Sequence, residues 1–227
     1  LADLCFTAAT RRSHHSHRLA VTGVSREDLA ARLGRRIAEG AREVAARKLC
    51  LVFCGQGPQH ARMALDLAAS DAGFARHLDL CDAAIRAISG WSLLEELARP
   101  EAESRLGETA TAQPALVALQ TGLADLLQRR GFAPDSVIGH SIGEVAALQA
   151  AGMLSLDEAL RIACHRGRIM QEAEGTGGMA SVPLDANAAE ALIAGHAPGL
   201  SIGAVNAPGE TVLSGPTDAL EAALAEL

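Results

Sequence analysis

Residues 135–154, DSVIGHSIGEVAALQAAGML, read as an apolar strand, a tight turn and a helix in immediate succession, and this stretch constrains the fold more than any other. A strand that feeds directly into a helix is the βα unit of a parallel sheet, so the main core is expected to be α/β. At the junction, Gly139-His140-Ser141-Ile142-Gly143 matches G-x-S-x-G. In that pattern the serine occupies a strained turn, and the flanking glycines leave room for the neighbouring backbone. Ser141 then stands at a helix N-terminus, where free N–H groups such as that of Ile142 can stabilise an oxyanion. The bare pattern is more often a chance loop than a site, but a strand before it and a helix after it reverse that judgement. His140 should point away from Ser141 across the turn, which gives it a structural place and not that of a base.

The rest of the chain supplies more pieces of the same kind. KLCLVFC (48–54) is a short apolar run that ends at GQGPQ, as a buried strand entering a glycine-rich turn would. Small residues at 55 and 57 let backbone donors approach a ligand closely. The segment does not fit a nucleotide loop, because the third glycine of G-x-G-x-x-G would fall at His60 and no G-K-[ST] follows. From 60 to 130 the spacing is helical, with breaks expected at Gly73, Ser89-Gly90, Arg99-Pro100 and before Gln113-Pro114. Ser155-x-x-Glu158 is a capping box that opens a helix running to about Glu174. After GTGG (175–178), MASVPL, a helix near 186–194, LSIGAVN, ETVLSG and a last helix make a second, small α/β unit. At the start, LADLCFTAATRR has helical spacing and RLAVTGV (18–24) predicts a strand. SREDLAARLGRRIAEG predicts a helix with Ser25 as N-cap and Asp28 at N3.

Composition narrows the functional classes. No window offers the roughly 20 uninterrupted apolar residues of a membrane helix, and the N-terminus lacks a secretory cleavage site. With no initiator Met, and a last helical pattern without a capping Gly or Pro, both ends are expected to be cut from something longer. Five cysteines without a C-x-x-C pair or zinc-ligand histidines suit reduced thiols in a cytoplasmic setting, and no metal site is expected. Residues 1–50 hold ten Lys/Arg against five Asp/Glu, whereas residues 51–227 hold ten against twenty-two. Aromatics are 2% with no Tyr, so the basic segment lacks stacking platforms for nucleic acid and marks a domain boundary instead.

Counting helical angles from the capping box puts Leu156, Ala159, Leu160, Ala163, Gly167 and Met170 on one stripe, with Arg166 at its edge. Arg161 and Arg168 point the other way. A guanidinium held toward a core requires an anionic partner, and no Asp or Glu sits one turn before Arg166 on that face. The partner is either a carboxylate distant in sequence or a ligand.

Taken together, GHSIGE (139–144) and FCGQGPQ (53–59) resemble the two signature segments of malonyl/acyl-CoA:acyl carrier protein transacylases of polyketide and fatty acid synthases. ATAQPALVALQ (110–120), HRGRIMQEA (165–173) and VNAPGETVLSG (205–215) resemble further blocks of that family in the same order. The resemblance implies an α/β-hydrolase-like large subdomain with a parallel sheet over 49–178 and a truncated ferredoxin-like small subdomain over 179–227. Residues 1–48 resemble the linker between ketosynthase and acyltransferase in type I modular polyketide synthases, an N-terminal α/β unit. His60 departs from the Trp frequent at that position.

By this resemblance Ser141 is acylated, the N–H groups of Gln56 and Ile142 form the oxyanion hole, and Arg166 grips the free carboxylate of a malonyl group. Gln113 and His140 are the further substrate-binding candidates. A branched residue at 142 resembles malonyl-selective rather than methylmalonyl-selective members. The implied reaction moves the acyl group from CoA to the phosphopantetheine thiol of an acyl carrier protein. CoA thioester and phosphopantetheine enter as substrates, no cofactor stays bound, and a ketosynthase domain is the implied neighbour. Neither nucleic acid nor a membrane is an expected partner.

The base in this family is a histidine that would fall beyond position 227. Ser141, Asp185 and His196 do follow the chain order of α/β-hydrolase triads. Asp185 and His196, however, lie close together on one small unit and are read as surface residues; His77 and His165 are the other candidates, and His14, His15 and His17 are a solvated run. Two other readings remain open: a serine hydrolase or thioesterase that delivers acyl groups to water, and a non-catalytic fragment that lacks its histidine.

Overall fold

Ser25 opens the longest helix of the N-terminal region by accepting a hydrogen bond from the Asp28 N–H, the arrangement its sequence predicts. The computed structural model describes residues 1–40, 42–43, 48–195 and 199–227, and these fall into two units, Leu1–Lys48 and Leu49–Leu227. In the first unit, α1 (Ala2–Thr10) precedes β1 (His17–Arg18), then α2 (Arg26–Glu39), then β2 (Arg42–Glu43), which pairs antiparallel with β1. Asp28 also accepts from the Val24 N–H and from Arg32, and these bonds, that to Arg32 foremost, hold its carboxyl below the usual carboxylate range. The strand expected over 18–24 is not formed beyond Arg18. A strand exists only where a partner completes its ladder, and among the described residues only His17 and Arg18 find one.

The second unit begins with β3 (Cys50–Phe53). There follow α3 (Leu65–Ser70), α4 (Ala72–Ser89), α5 (Leu93–Ala98), a 3₁₀ turn at Glu101–Glu103, and α6 (Thr109–Arg129). On α4, Phe74, Leu78, Cys81 and Ile85 repeat at helical spacing and are buried against Leu93 and Leu97 of α5 and Leu116 of α6. Burial pushes the Cys81 thiol up to about 12. Two expected breaks move. The chain turns at Asp71, whose side chain caps α4 by accepting from the Phe74 N–H, so Gly73 lies inside the helix. Pro114 likewise lies inside α6, in its second turn, where its missing N–H costs one helical bond near the helix start.

Next come β4 (Ser136–Gly139), α7 (Gly143–Ala150) and α8 (Leu156–Glu172), the last opened by the complete Ser155–Glu158 capping box. Strand β4 lies parallel to β3, with Leu51 beside Val137 and Phe53 beside Gly139. One face of this pair packs on Ala124 of α6 and Ala146 and Ala147 of α7. The other is open, with Val52 72% and Ile138 58% exposed, so the run at 48–54 is buried on one side only. Alternation along a strand makes this unavoidable where helices cover a single face.

Helix α8 packs along α6, and an added Cβ at Gly167 would stand 2.9 Å from the Thr109 carbonyl oxygen. The chain then forms β5 (Gly178–Val182), α9 (Ala186–Ala194), β6 (Ser201–Ala207), β7 (Glu210–Gly215) and α10 (Thr217–Leu224). These strands make an antiparallel sheet in the order β5-β7-β6, with Val182, Ala189, Leu213, Leu220 and Ala223 as its core. Among the described residues no helix is long and apolar enough to cross a membrane.

Within the helical core, Thr121 gives its hydroxyl proton to the Val117 carbonyl, so the His77 Nε2 at 3.0 Å must be the protonated nitrogen that donates to it. Burial is the main cause that lowers the His77 pKa, with Asp125 opposing it. The unfolded chain therefore binds this proton more readily, and stability that is full above about pH 6.5 falls as pH drops below that value toward the folded pKa. Thermal denaturation is expected to show a smaller drop in Tm between pH 7 and pH 5 for His77→Gln than for the unsubstituted chain.

Candidate active site

Ser141 has φ 53°, a left-handed conformation that serine adopts only when its surroundings impose it. The surroundings are backbone. An ideal Cβ on Gly143 would stand 2.3 Å from the Phe53 carbonyl oxygen, and one on Gly139 would stand 2.3 Å from the Glu144 Cα. The turn therefore closes only with bare glycine on both sides. It is tied by the His140 N–H to the Phe53 carbonyl at 2.9 Å, Gly143 N–H to the His140 carbonyl at 2.9 Å and Glu144 N–H to the Ser141 carbonyl at 3.0 Å. Ser141 is exposed, whereas the next side chain, Ile142, is wholly buried in the helical core and anchors the turn from beneath.

The glycine-rich segment after β3 lies against this turn. A Cβ on Gly55 would meet the His140 Nδ1 at 2.8 Å and the Ser141 Cβ at 3.3 Å. The parallel pairing of β3 and β4 explains the meeting, since both loops leave the same end of the sheet. Neither the Gln56 N–H nor the Ile142 N–H has an acceptor among the described residues. The loop is braced from α6: Gln120, buried in an apolar stretch, donates to the Cys54 carbonyl at 2.8 Å and to its Sγ at 3.2 Å.

Arg166 reaches the same point from α8. Its Nη2 donates to Ser141 Oγ at 3.2 Å, and its Nη1 is buried without a partner among the described residues. Of the two partners the sequence leaves open, a distant protein carboxylate is absent among the described ion pairs, while Arg168, on the outer face, pairs with Glu172. Arg166 shares an apolar-walled depression with Ile162, His165, Ile169 and Met170. Gln113, only 1% exposed, donates to the Met170 Sδ at 3.2 Å, and its Oε1 is a second buried polar atom left unpaired. Buried polar atoms without partners are costly unless something occupies the space beside them, and Thr111 Oγ1 and Gln120 Oε1 are likewise unpaired among the described residues. The exposed His140 ring lies beside Gly55 and hydrogen bonds nothing among the described residues.

No imidazole nitrogen bonds Ser141 Oγ among the described residues. His77 is held by Thr121, His60 by the Pro58 carbonyl, and His165 is exposed on α8. Asp185 caps α9 by accepting from the Ala188 N–H, and His196 lies outside the described residues. Among the described residues no group of three or more His, Cys, Asp or Glu could hold a metal.

Comparison with known proteins gives a consistent picture. Residues 50–227 match the family model described as acyl transferase domain, and residues 1–33 match one described as CurL-like, PKS C-terminal. The chain is 37% identical to polyketide synthase GfsB of Streptomyces halstedii over 100% of its own length and 4% of that protein's. It is 36% identical to erythronolide synthase EryA2 of Saccharopolyspora erythraea over 98% of its length and 6% of that protein's. Among solved structures, the acyltransferase domain from module 8 of the salinomycin polyketide synthase superposes with a TM-score of 0.84 at 34% identity, covering 99% of this chain and 55% of that one. The malonyl-CoA:ACP transacylase of Synechocystis sp. PCC 6803 gives 0.68 at 34% identity, over 79% and 58%. The chain thus spans a small share of its curated relatives and about half of these solved domains. The α/β arrangement is common to both solved domains.

The backbone contact at Gly143 sets a direct expectation. Gly143→Ala leaves nothing flexible to move aside, so it should lower unfolding stability by about 3 kcal/mol, at the upper end of ordinary overpacking, with a visible fall in Tm. An unchanged Tm would mean that β3 and α7 do not approach this closely.

Proposed function

The chain belongs to the acyl transferase domain family, and from that premise we propose that it moves a malonyl-type acyl group from a CoA thioester to the phosphopantetheine thiol of an acyl carrier protein. The observation that carries this reading is the position of Arg166, with one guanidinium nitrogen on Ser141 Oγ and the other buried and unpaired. A guanidinium donates and cannot accept, so it occupies a lone pair of the serine and leaves the hydroxyl proton free for a base. Its spare N–H groups suit a carboxylate, and a fork of two parallel bonds would seat the free end of a malonyl group beside the nucleophile. Gln113, with its unpaired Oε1, and the exposed His140 are the further substrate contacts of this scheme. Ile142 is taken as the mark of malonyl over methylmalonyl.

In the first half-reaction Ser141 Oγ loses its proton to the base and attacks the thioester carbonyl. The tetrahedral oxyanion is met by the Gln56 and Ile142 N–H groups, which have no other acceptor among the described residues, and the C–S bond then breaks as the base passes its proton to the sulfur, releasing CoA as its thiol. In the second, the phosphopantetheine thiol repeats the attack on the acyl-serine. The base of this scheme is the histidine that the family resemblance implies beyond position 227; Ser141 Oγ itself is bonded by Arg166. CoA and phosphopantetheine take part as substrates, so the scheme requires no resident cofactor.

Residues 1–48 are assigned to a linker following a ketosynthase, a reading the match over 1–33 supports. Residues 49–178 are assigned to a large subdomain and residues 179–227 to the beginning of a ferredoxin-like one, in keeping with the β5-α9-β6-β7-α10 order. Five unpaired cysteines suit the cytoplasm.

In the intact polypeptide that contains this chain, Ser141→Ala is expected to abolish covalent labelling by malonyl-CoA. Arg166→Ala should lower malonyl transfer roughly 30-fold to several thousandfold, the equivalent of about 2–5 kcal/mol for a desolvated charge pair, while sparing or improving acetyl transfer. Arg166→Lys should rescue only in part, because an ammonium keeps the charge without the fork. Parallel loss of malonyl and acetyl transfer with a lowered Tm would make Arg166 a core residue instead.

A further inference from the structure

A chain of hydrogen bonds runs from the glycine-rich loop, across the first turn of α6, to the residues just past α8. Gln56 Nε2 donates to Thr109 Oγ1 at 3.2 Å, and Thr109 Oγ1 donates to Glu174 Oε1 at 3.2 Å. Gln171 Nε2 donates to Glu174 Oε2, and Gln171 Oε1 accepts from the Ala110 N–H at 3.2 Å. Only one arrangement of donors satisfies all four bonds. The Ala110 N–H is a fixed backbone donor, so Gln171 turns its oxygen there and its NH₂ toward Glu174, which therefore accepts. Thr109 has a single proton and gives it to the other carboxylate oxygen, which leaves a lone pair for the Gln56 amide. Position 174 thus calls for a group that accepts at both oxygens, as a carboxylate does.

We propose that Thr109 and Glu174 are positioning residues for acyl transfer, holding the Gln56 side chain and through it the Gln56 N–H at the geometry the oxyanion requires. This rests on the reading of that N–H as an oxyanion donor. The physical need is plain from the loop. Gln56 stands between two glycines, the second with φ 142°, and its own N–H has no acceptor among the described residues to hold it. The Gly57 N–H is tied locally to the Gln59 side chain at 2.7 Å, but that bond stays within the loop. The Gln56 side chain ties that residue itself to α6, beside the Gln120 bond to the Cys54 carbonyl, and the buried Thr109 is its anchor. An oxyanion donor acts only if it is already in place when charge develops, so a loose peptide would lower the rate without weakening ground-state binding.

The test is the rate of Ser141 acylation by labelled malonyl-CoA in the intact polypeptide. Thr109→Val and Glu174→Gln should each lower the maximal rate about tenfold, a fraction of the 10²–10³ lost when a whole oxyanion donor is removed. The malonyl-CoA concentration for half-maximal rate should stay unchanged. Glu174→Gln fails in this scheme because it sets one amide NH₂ against another at Gln171. Thr109→Ser keeps the hydroxyl and should retain the unsubstituted rate. In a Gln56→Ala background, which removes the tether but not the backbone N–H, Thr109→Val should have no further effect. Unsubstituted rates in Thr109→Val and Glu174→Gln would overturn this inference alone. So would an equal slowing by Thr109→Val with and without Gln56, or a loss in Thr109→Ser. Absence of any Ser141 label in the unsubstituted protein would overturn the functional reading, and this inference with it.

Discussion

Backbone meets backbone where the start of α7 crosses the end of β3, and the geometry of the site depends on that contact. Gly143 lies so close to the Phe53 and Cys54 carbonyls that no side chain fits between them. The same approach brings Gly55 onto Ser141 and His140. A nucleophile on one loop and N–H groups on two are thereby brought to one end of the sheet by backbone packing. The left-handed Ser141 is the local cost of this arrangement, of order 1–3 kcal/mol. Ile142 offsets it by burying a whole side chain directly beneath the turn.

Around this backbone frame, α6 and α8 carry the side chains that finish the site. Their close packing at Gly167 puts Gln113 against Met170 and sets Thr109 within reach of Glu174. Four buried side-chain atoms are without partners among the described residues, Thr111 Oγ1, Gln113 Oε1, Gln120 Oε1 and Arg166 Nη1, and of these side chains Arg166 touches Ser141, while the buried Asp82 is fully used: it accepts from Ser92, from the Leu94 N–H and from Arg86. An unpaired guanidinium nitrogen on a side chain that reaches the exposed serine is what a site for an anionic ligand would present.

The local pieces of this site are legible in the chain because each is written within a few consecutive residues. The elbow glycines, the Ser155–Glu158 box and the phase of Arg166 on α8 need no distant partner to be recognised. The Ser25 cap is of the same kind. What escapes the sequence depends on pairing across long separations. RLAVTGV has the composition of a strand but a ladder partner for only its first residue, and KLCLVFC has helices on one face alone. Pro114 looks like a helix break because the buried setting that keeps α6 continuous is tertiary. The bonds of Gln56 to Thr109 and of Thr109 to Glu174 span 53 and 65 residues, and neither threonine nor glutamate at those positions gives a signal of its own. Gln120 was the better clue, since a glutamine in an apolar helical run must find a partner somewhere.

The parallel pair also carries a cost of closure. Where β3 begins, the Leu49 N–H is bonded to Asp135 Oδ2 at 2.7 Å, closing a loop of 86 residues that contains α3, α4, α5 and α6. Such a loop is costly to close by chance search, and the cost falls once its interior has condensed into packed helices. Packed helices within the loop thus lower the cost of bringing the two strands together. The elbow, whose glycines gain their meaning only when β3 lies alongside, depends on that closure. A peptide carrying GHSIG alone has nothing to press Ser141 into its left-handed turn. The geometry of the serine is in that sense a property of the closed loop, and not of the five residues that spell it.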